Sequence, residues 1–105
     1  MGIFCSTRFE RINKLDEGLT TLNKLYDYKI DELCDIRTAI AELDLRIDHI
    51  KRLLLTNHKD LDGSELFQAT DKCRKRFVDM SEKKKAECVE IRLEIIKTNK
   101  MISML

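Results

Sequence analysis

From Ile12 to Leu54 an apolar side chain returns at alternating steps of three and four residues: Ile12, Leu15, Leu19, Leu22, Tyr26, Lys29, Leu33, Ile36, Ile40, Leu43, Ile47, Ile50 and Leu54. Lys29 is the single interruption. Such spacing draws one stripe down one side of a long α-helix, and a stripe of that length must lie against other helices. No strand-length window alternates aromatic or β-branched residues with polar ones, so sheet is not expected. Proline is absent, glycine occurs three times, and charged and apolar residues make up 37% and 43% of the chain, the balance of amphipathic helices rather than of disorder. The 105 residues leave room for one domain.

Helix boundaries follow from capping patterns. Thr7 and Glu10 form a T-x-x-E capping box, which predicts a helix from about residue 8, with residues 1–7 as a flexible segment ahead of it. That helix continues to about residue 55. Within it Gly18 sits beside the stripe, where it marks either a kink or the close approach of another helix. The pairs Glu10–Lys14, Glu42–Arg46 and Asp48–Arg52 have the four-residue spacing that supports a continuous helix. Residues 56–64 read as a turn, with Asn57 suited to ending the first helix, and Asp62 or Ser64 suited to capping the second over about 65–103. The second stripe is Leu66, Ala69, Cys73, Phe77, Met80, Cys88, Ile91, Ile95, Ile102 and Leu105, with Lys84 out of pattern.

The fold expected is therefore all-α: a long antiparallel, coiled-coil-like helical hairpin over residues 8–105. Folding near residue 60 would set Leu54 against Leu66, Leu43 against Phe77, and Leu33 near Cys88. Leu25, Ala39 and Leu53 flank one side of the first stripe and Ile30 the other, a face wider than a two-helix seam needs. That width predicts association into a four-helix bundle or a larger helical assembly. Lys29 is expected to snorkel outward, with pairing to an acidic residue or specification of register as the sharper alternatives.

Several chemistries are excluded by what the residues lack. A formal net charge of +1 gives no field to attract nucleic acid. The basic runs Lys72, Arg74–Arg76 and Lys83–Lys85 have no aromatics interleaved for base stacking, and Asp71 and Asp79 stand four residues before Lys75 and Lys83. Those runs read as solvated helix faces, with docking of phosphate or acidic lipid as the alternative. Cys5, Cys34, Cys73 and Cys88 form no CxxC pair and no histidine lies at ligand spacing, so no metal site and no disulfide are predicted. The letters DLDGSE suggest an EF-hand, but with Gly63 as the sixth loop position the twelfth is Ala69 rather than a bidentate glutamate. His49 falls on the outer face of the first helix and His58 in the turn, neither with a spaced nucleophile. No phosphate loop, nucleophile elbow or HExxH motif is present, so neither an enzyme, a cofactor nor a small-molecule substrate is expected.

The opening residues carry the one modification motif. Met1-Gly2-Ile3-Phe4-Cys5-Ser6 fits the N-myristoylation pattern M-G-x-x-x-[ST], in which Gly2 receives the acyl chain once Met1 is removed. Cys5 is then placed for palmitoylation, the second signal that stable anchoring requires. The competing reading is a chance match in which Ile3 and Phe4 simply pack on the helices. A hairpin returns Met101, Ile102, Met104 and Leu105 to the same pole, with Arg8, Arg11, Lys14, Lys97 and Lys100 nearby. There is no secretory signal and no apolar run long enough to span a bilayer, so a reducing, cytoplasmic setting is expected, peripheral on the cytosolic face of a membrane if the acyl groups are attached.

These features predict a non-catalytic coiled-coil interaction or scaffold protein, tethered by acylation of Gly2 and Cys5. Its interaction stripe is Ile12, Leu15, Leu19, Leu22, Leu33, Ile36, Ile40, Leu43, Ile47, Ile50 and Leu54. Its partners are itself, as a homodimer, or another helical protein, together with a membrane surface. Two alternatives are a soluble helical escort that masks a partner's apolar helix, and a helical-hairpin subunit of a membrane-remodelling polymer.

Overall fold

The computed structural model describes the backbone of residues 2–56 and 61–105 and the side chains of residues 7–56 and 63–105. The described chain is two long helices, α1 over Gly2–Thr56 and α2 over Leu61–Ser103, folded back as a helical hairpin, with no strand among the described residues. Neither helix contains a proline, and the helix-interior threonines satisfy their own hydroxyls. Thr20, Thr21 and Thr38 each donate to the carbonyl four residues earlier, at 3.0–3.1 Å.

Both helices begin earlier than their capping patterns suggest. α1 starts at Gly2, so Thr7 and Glu10 lie inside a helix rather than at its head. Nothing between Gly2 and Thr7 breaks a helix, and the stripe beyond it gives the backbone a long template to extend. α2 starts at Leu61, four residues ahead of Glu65. The cap assigned to Asn57 lies outside the described residues, whereas Asp62 and Ser64 lie within α2, which begins at Leu61, rather than at its cap. At its end α1 is closed by Thr56, whose Oγ1 donates to the carbonyls of Arg52 and Leu53 at 3.3 and 2.9 Å. α2 tightens over its last turn, where the Met104 amide reaches both Lys100 and Met101 carbonyls at 3.2 Å.

The chain divides into two compact units, each built from a segment of both helices. The turn unit comprises Glu32–Lys85 and the terminal unit comprises Met1–Asp31 with Ala86–Leu105. In the turn unit Leu33, Ile36, Leu43, Ile47 and Ile50 are buried, all of them stripe residues of α1. In the terminal unit Cys88 alone is buried among the described residues, and Ile12, Leu15, Leu19, Leu22 and Tyr26 remain half-buried.

Ion pairs across the hairpin report its register. In the terminal unit Lys29 Nζ lies 2.9 Å from Glu87 Oε2. In the turn unit Lys84 Nζ lies 2.9 Å from Glu32 Oε2, Arg74 pairs with Asp44, and Lys51 sits over the Phe67 ring at 5.8 Å. Asp44 thus meets residue 74, two positions short of the expected pairing, and Glu32 meets residue 84, about one turn short. α1 ends at Thr56 and α2 begins at Leu61, so the hairpin folds about a point one to two residues before residue 60 and the pairing sums fall with it. Lys29 is held by Glu87 rather than snorkelling free. Of the four-residue surface pairs expected, Asp71–Lys75 closes at 3.1 Å. Glu10–Lys14, Glu42–Arg46, Asp48–Arg52 and Asp79–Lys83 do not close among the described residues.

The α2 stripe needs the larger correction. Leu66 and Met80 are 56% and 46% exposed, and Ala69 is exposed as well. The inward positions are instead Phe67, Thr70, Arg74, Phe77, Ser81, Lys84, Cys88, Ile91, Ile95, Thr98, Ile102 and Leu105, each half-buried or buried. These keep the three-and-four step without a break, straight through Lys84. Thr70 and Ser81 are tolerated inward because their hydroxyls donate to the Leu66 and Val78 carbonyls, at 2.7 and 2.8 Å.

Candidate interaction surfaces

With both seams located, every residue takes a heptad letter, a at Ile12 in α1 and a at Phe67 in α2, so that a and d face the opposite helix. The next positions outward on one side are g and then c, and on the other side e and then b. At about 100° per residue, position g lies roughly 90° round the helix from the seam, which is where a second helical layer would dock.

The two sides of the turn unit differ in chemistry. On the e side stand Arg37, Asp44 and Lys51 of α1 with Asp71, Val78 and Lys85 of α2. The seam residue Arg74 lies across that side to Asp44. On the g side stand Ala39, Arg46 and Leu53 of α1 with Leu66, Cys73 and Met80 of α2. Leu53, Leu66 and Met80 are all close to half exposed or more, at 47%, 56% and 46%. An open groove of about 430 Å³ runs along this edge, lined by Leu45, Arg46, His49, Ile50, Leu66 and Thr70.

Beyond the apolar edge lies a charged margin, sorted by helix. Position c of α1 carries Asp35 and Glu42, while position c of α2 carries Arg76 and Lys83. All four side chains are exposed, and none takes part in an ion pair among the described residues.

In the terminal unit the g side carries Gly18 and Leu25 of α1 and Met101 of α2, the latter two 41% and 46% exposed. A Cβ built on Gly18 meets nothing within 4 Å, so no helix of this chain approaches it closely. A groove of about 440 Å³ brings Arg11, Lys14 and Leu15 together with Met101, Met104 and Leu105. The same stretch of α2 has a second stripe on its outward face, where Val89, Leu93 and Ile96 are 52%, 59% and 55% exposed. A helix apolar on two opposite faces has more to cover than one partner helix supplies.

The stripe residues named from the sequence have two fates. Leu33, Ile36, Leu43, Ile47 and Ile50 are buried, and Ile12, Leu15, Leu19, Leu22, Ile40 and Leu54 are half-buried. The hairpin's own fold occupies this stripe, and what remains open is the edge beside it. Gly2 heads α1, and the side chain of Cys5 lies outside the described residues. Leu66, Met80 and the sorted margin were missed because the α2 stripe was phased on its largest apolar residues. A strict heptad frame carried through Lys84 would have moved Leu66 and Met80 to the edge.

Among the described residues no group of three or more His, Cys, Asp or Glu side chains is arranged to hold a metal ion, and Cys34, Cys73 and Cys88 are free thiols. No described helix is long and apolar enough to cross a membrane. Comparison with protein-family models, with curated proteins and with solved structures finds no match.

Proposed function

We propose that this chain is a non-catalytic helical interaction module that works by presenting the g edge of its hairpin to further helices. The observation that carries the reading is that the exposed apolar side chains Leu53, Leu66 and Met80 share one side of the turn unit, with charged residues on the margin beyond them. Exposed leucines scattered singly would mean little, but a row on one side of two antiparallel helices forms a contact face. The exposed stripe Val89, Leu93 and Ile96 adds a second apolar face and favours an assembly wider than the hairpin alone. An escort that masks a partner's helix would use the same edge, and a fixed one-to-one ratio with an unrelated helical protein would distinguish it from a scaffold.

The proposal includes a tether. Acylation of Gly2, reinforced at Cys5, would hold the module on the cytosolic face of a membrane, and the Met1-to-Ser6 motif supports that placement. The test is labelling with a myristate analogue in cells, using Gly2→Ala as the control. Label on the wild type that disappears in the variant, together with a shift from the membrane to the soluble fraction, is the expected result. Absence of label in the wild type removes the tether and leaves the edge to be judged by its own association.

A further inference from the structure

We infer that the partner of the turn unit is a second copy of this chain, docked edge to edge so that α1 of one copy lies against α2 of the other. This rests on the reading of the g edge as a contact face and adds who occupies it.

The carrying observation is the sorting of charge along the margin. Asp35 and Glu42 stand on α1, Arg76 and Lys83 stand on α2, and all four are exposed without an ion-pair partner. Height along the hairpin follows from the pairs already made. Two residues back from Asp44 is Glu42, and two residues on from its partner Arg74 is Arg76, so Glu42 and Arg76 stand level. Asp35, three residues on from Glu32, stands level with Lys83 to within about 3 Å, given Glu32's partner Lys84.

Two arrangements with two-fold symmetry bring g edges face to face. If the axis runs along the helices, α1 of each copy faces α2 of the other, and residues at equal height meet. Glu42 then meets Arg76 and Asp35 meets Lys83, each pair made twice, with Ala39 meeting Met80 between them and Leu53 meeting Leu66 nearer the turn. If the axis lies across the helices, α1 faces α1, and carboxylates oppose carboxylates while cations oppose cations. Charge therefore selects the first arrangement, in which both turns lie at the same end of the dimer. Arg46 is the costly group on the contact face, since Glu32, the other charge at a described g position of this unit, is already paired with Lys84.

Sedimentation of the intact chain over a range of concentrations tests this, with far-ultraviolet circular dichroism to verify that each variant stays helical. The wild type should dimerise. Glu42→Arg alone and Arg76→Glu alone should each weaken the dimer by about tenfold or more, because two attractive pairs become repulsive. Mixing the two single variants should restore wild-type affinity as a heterodimer, since every pair across that interface is again of opposite charge. Leu66→Glu should abolish association without loss of helicity, because the residue is exposed in the hairpin.

A dimer indifferent to both charge reversals overturns the inference. So does a monomeric wild type, and its melt then separates the two claims. A monomer that melts broadly at low temperature leaves the edge in need of a helix from another protein, and the interaction reading stands. A monomer with a sharp cooperative melt is a self-sufficient hairpin, and both readings fall.

Discussion

The turn unit and the terminal unit have stripes of equal spacing in α1, broken only by Lys29 in the terminal unit, and bury them unequally. Leu33, Ile36, Leu43, Ile47 and Ile50 are 5–9% exposed in the first, whereas Ile12, Leu15, Leu19 and Leu22 are half-buried in the second. The difference lies beside the seam. In the turn unit Ala39, Leu53, Leu66, Cys73 and Met80 form one shoulder, and the stems of Lys51 and Arg74 lie over the other. In the terminal unit the flanking positions are mostly polar or bare, with Asp16, Gly18, Asn23, Glu94 and Asn99, though Leu25, Ile30 and Met101 offer apolar cover. A seam residue in a two-helix structure is sheltered mainly by its flanks, so the flanks set its burial.

Truncating a seam residue in each unit should expose this contrast most strongly. Ile50→Ala removes a side chain that is 5% exposed and should cost about 3 kcal/mol, while Leu19→Ala should cost less than half of that. Urea unfolding followed by circular dichroism measures both; equal losses would mean that the terminal unit is covered in solution by something other than α2.

The seam lysine of the turn unit gives a smaller effect. Lys84 and Glu32 have side chains 21% and 31% exposed, so removing one charge leaves the other partly desolvated. Glu32→Ala should lose about 1 kcal/mol, whereas Lys84→Met, which puts an unbranched apolar chain into the seam, should be near neutral. Finding Lys84→Met to be the more damaging of the two would show that the lysine does more than pair with Glu32.

Gly18→Ala should raise stability by about 0.5–1 kcal/mol, since the added methyl meets open space and the glycine lies within a helix. A loss at this position would place another chain against the terminal unit's g edge.

How far the fold could be read ahead of the structure differed between the helices for a physical reason. In α1 nearly every inward position is aliphatic, so periodicity and burial coincide and the stripe is legible residue by residue. In α2 the inward positions include Thr70, Arg74, Ser81, Lys84 and Thr98, which satisfy themselves by local hydroxyl bonds or cross-helix ion pairs. Leu66 and Met80, more apolar than their inward neighbours, drew the phase to themselves. Both helices start ahead of their capping patterns because such a pattern marks where a helix can begin, and not where it must. The charged margin became visible only when register was known, because it depends on which residues stand level.

The two seam lysines also bear on how the chain finds its pairing. A ladder of aliphatic residues repeating every seven is nearly degenerate: sliding one helix by a heptad restores most of its contacts. Each unit breaks that degeneracy with a seam-lysine ion pair, Lys29 with Glu87 and Glu32 with Lys84, and the turn unit adds Arg74 with Asp44. A slip of seven in one direction would set Lys29 against Met80, Glu32 against Phe77 and Lys84 against Leu25, and in the other would set Glu32 against Ile91 and Lys84 against Ala39. Either slip strands charge among apolar groups. The ion pairs thus act as a vernier, contributing little to how strongly the helices hold and much to where they stop.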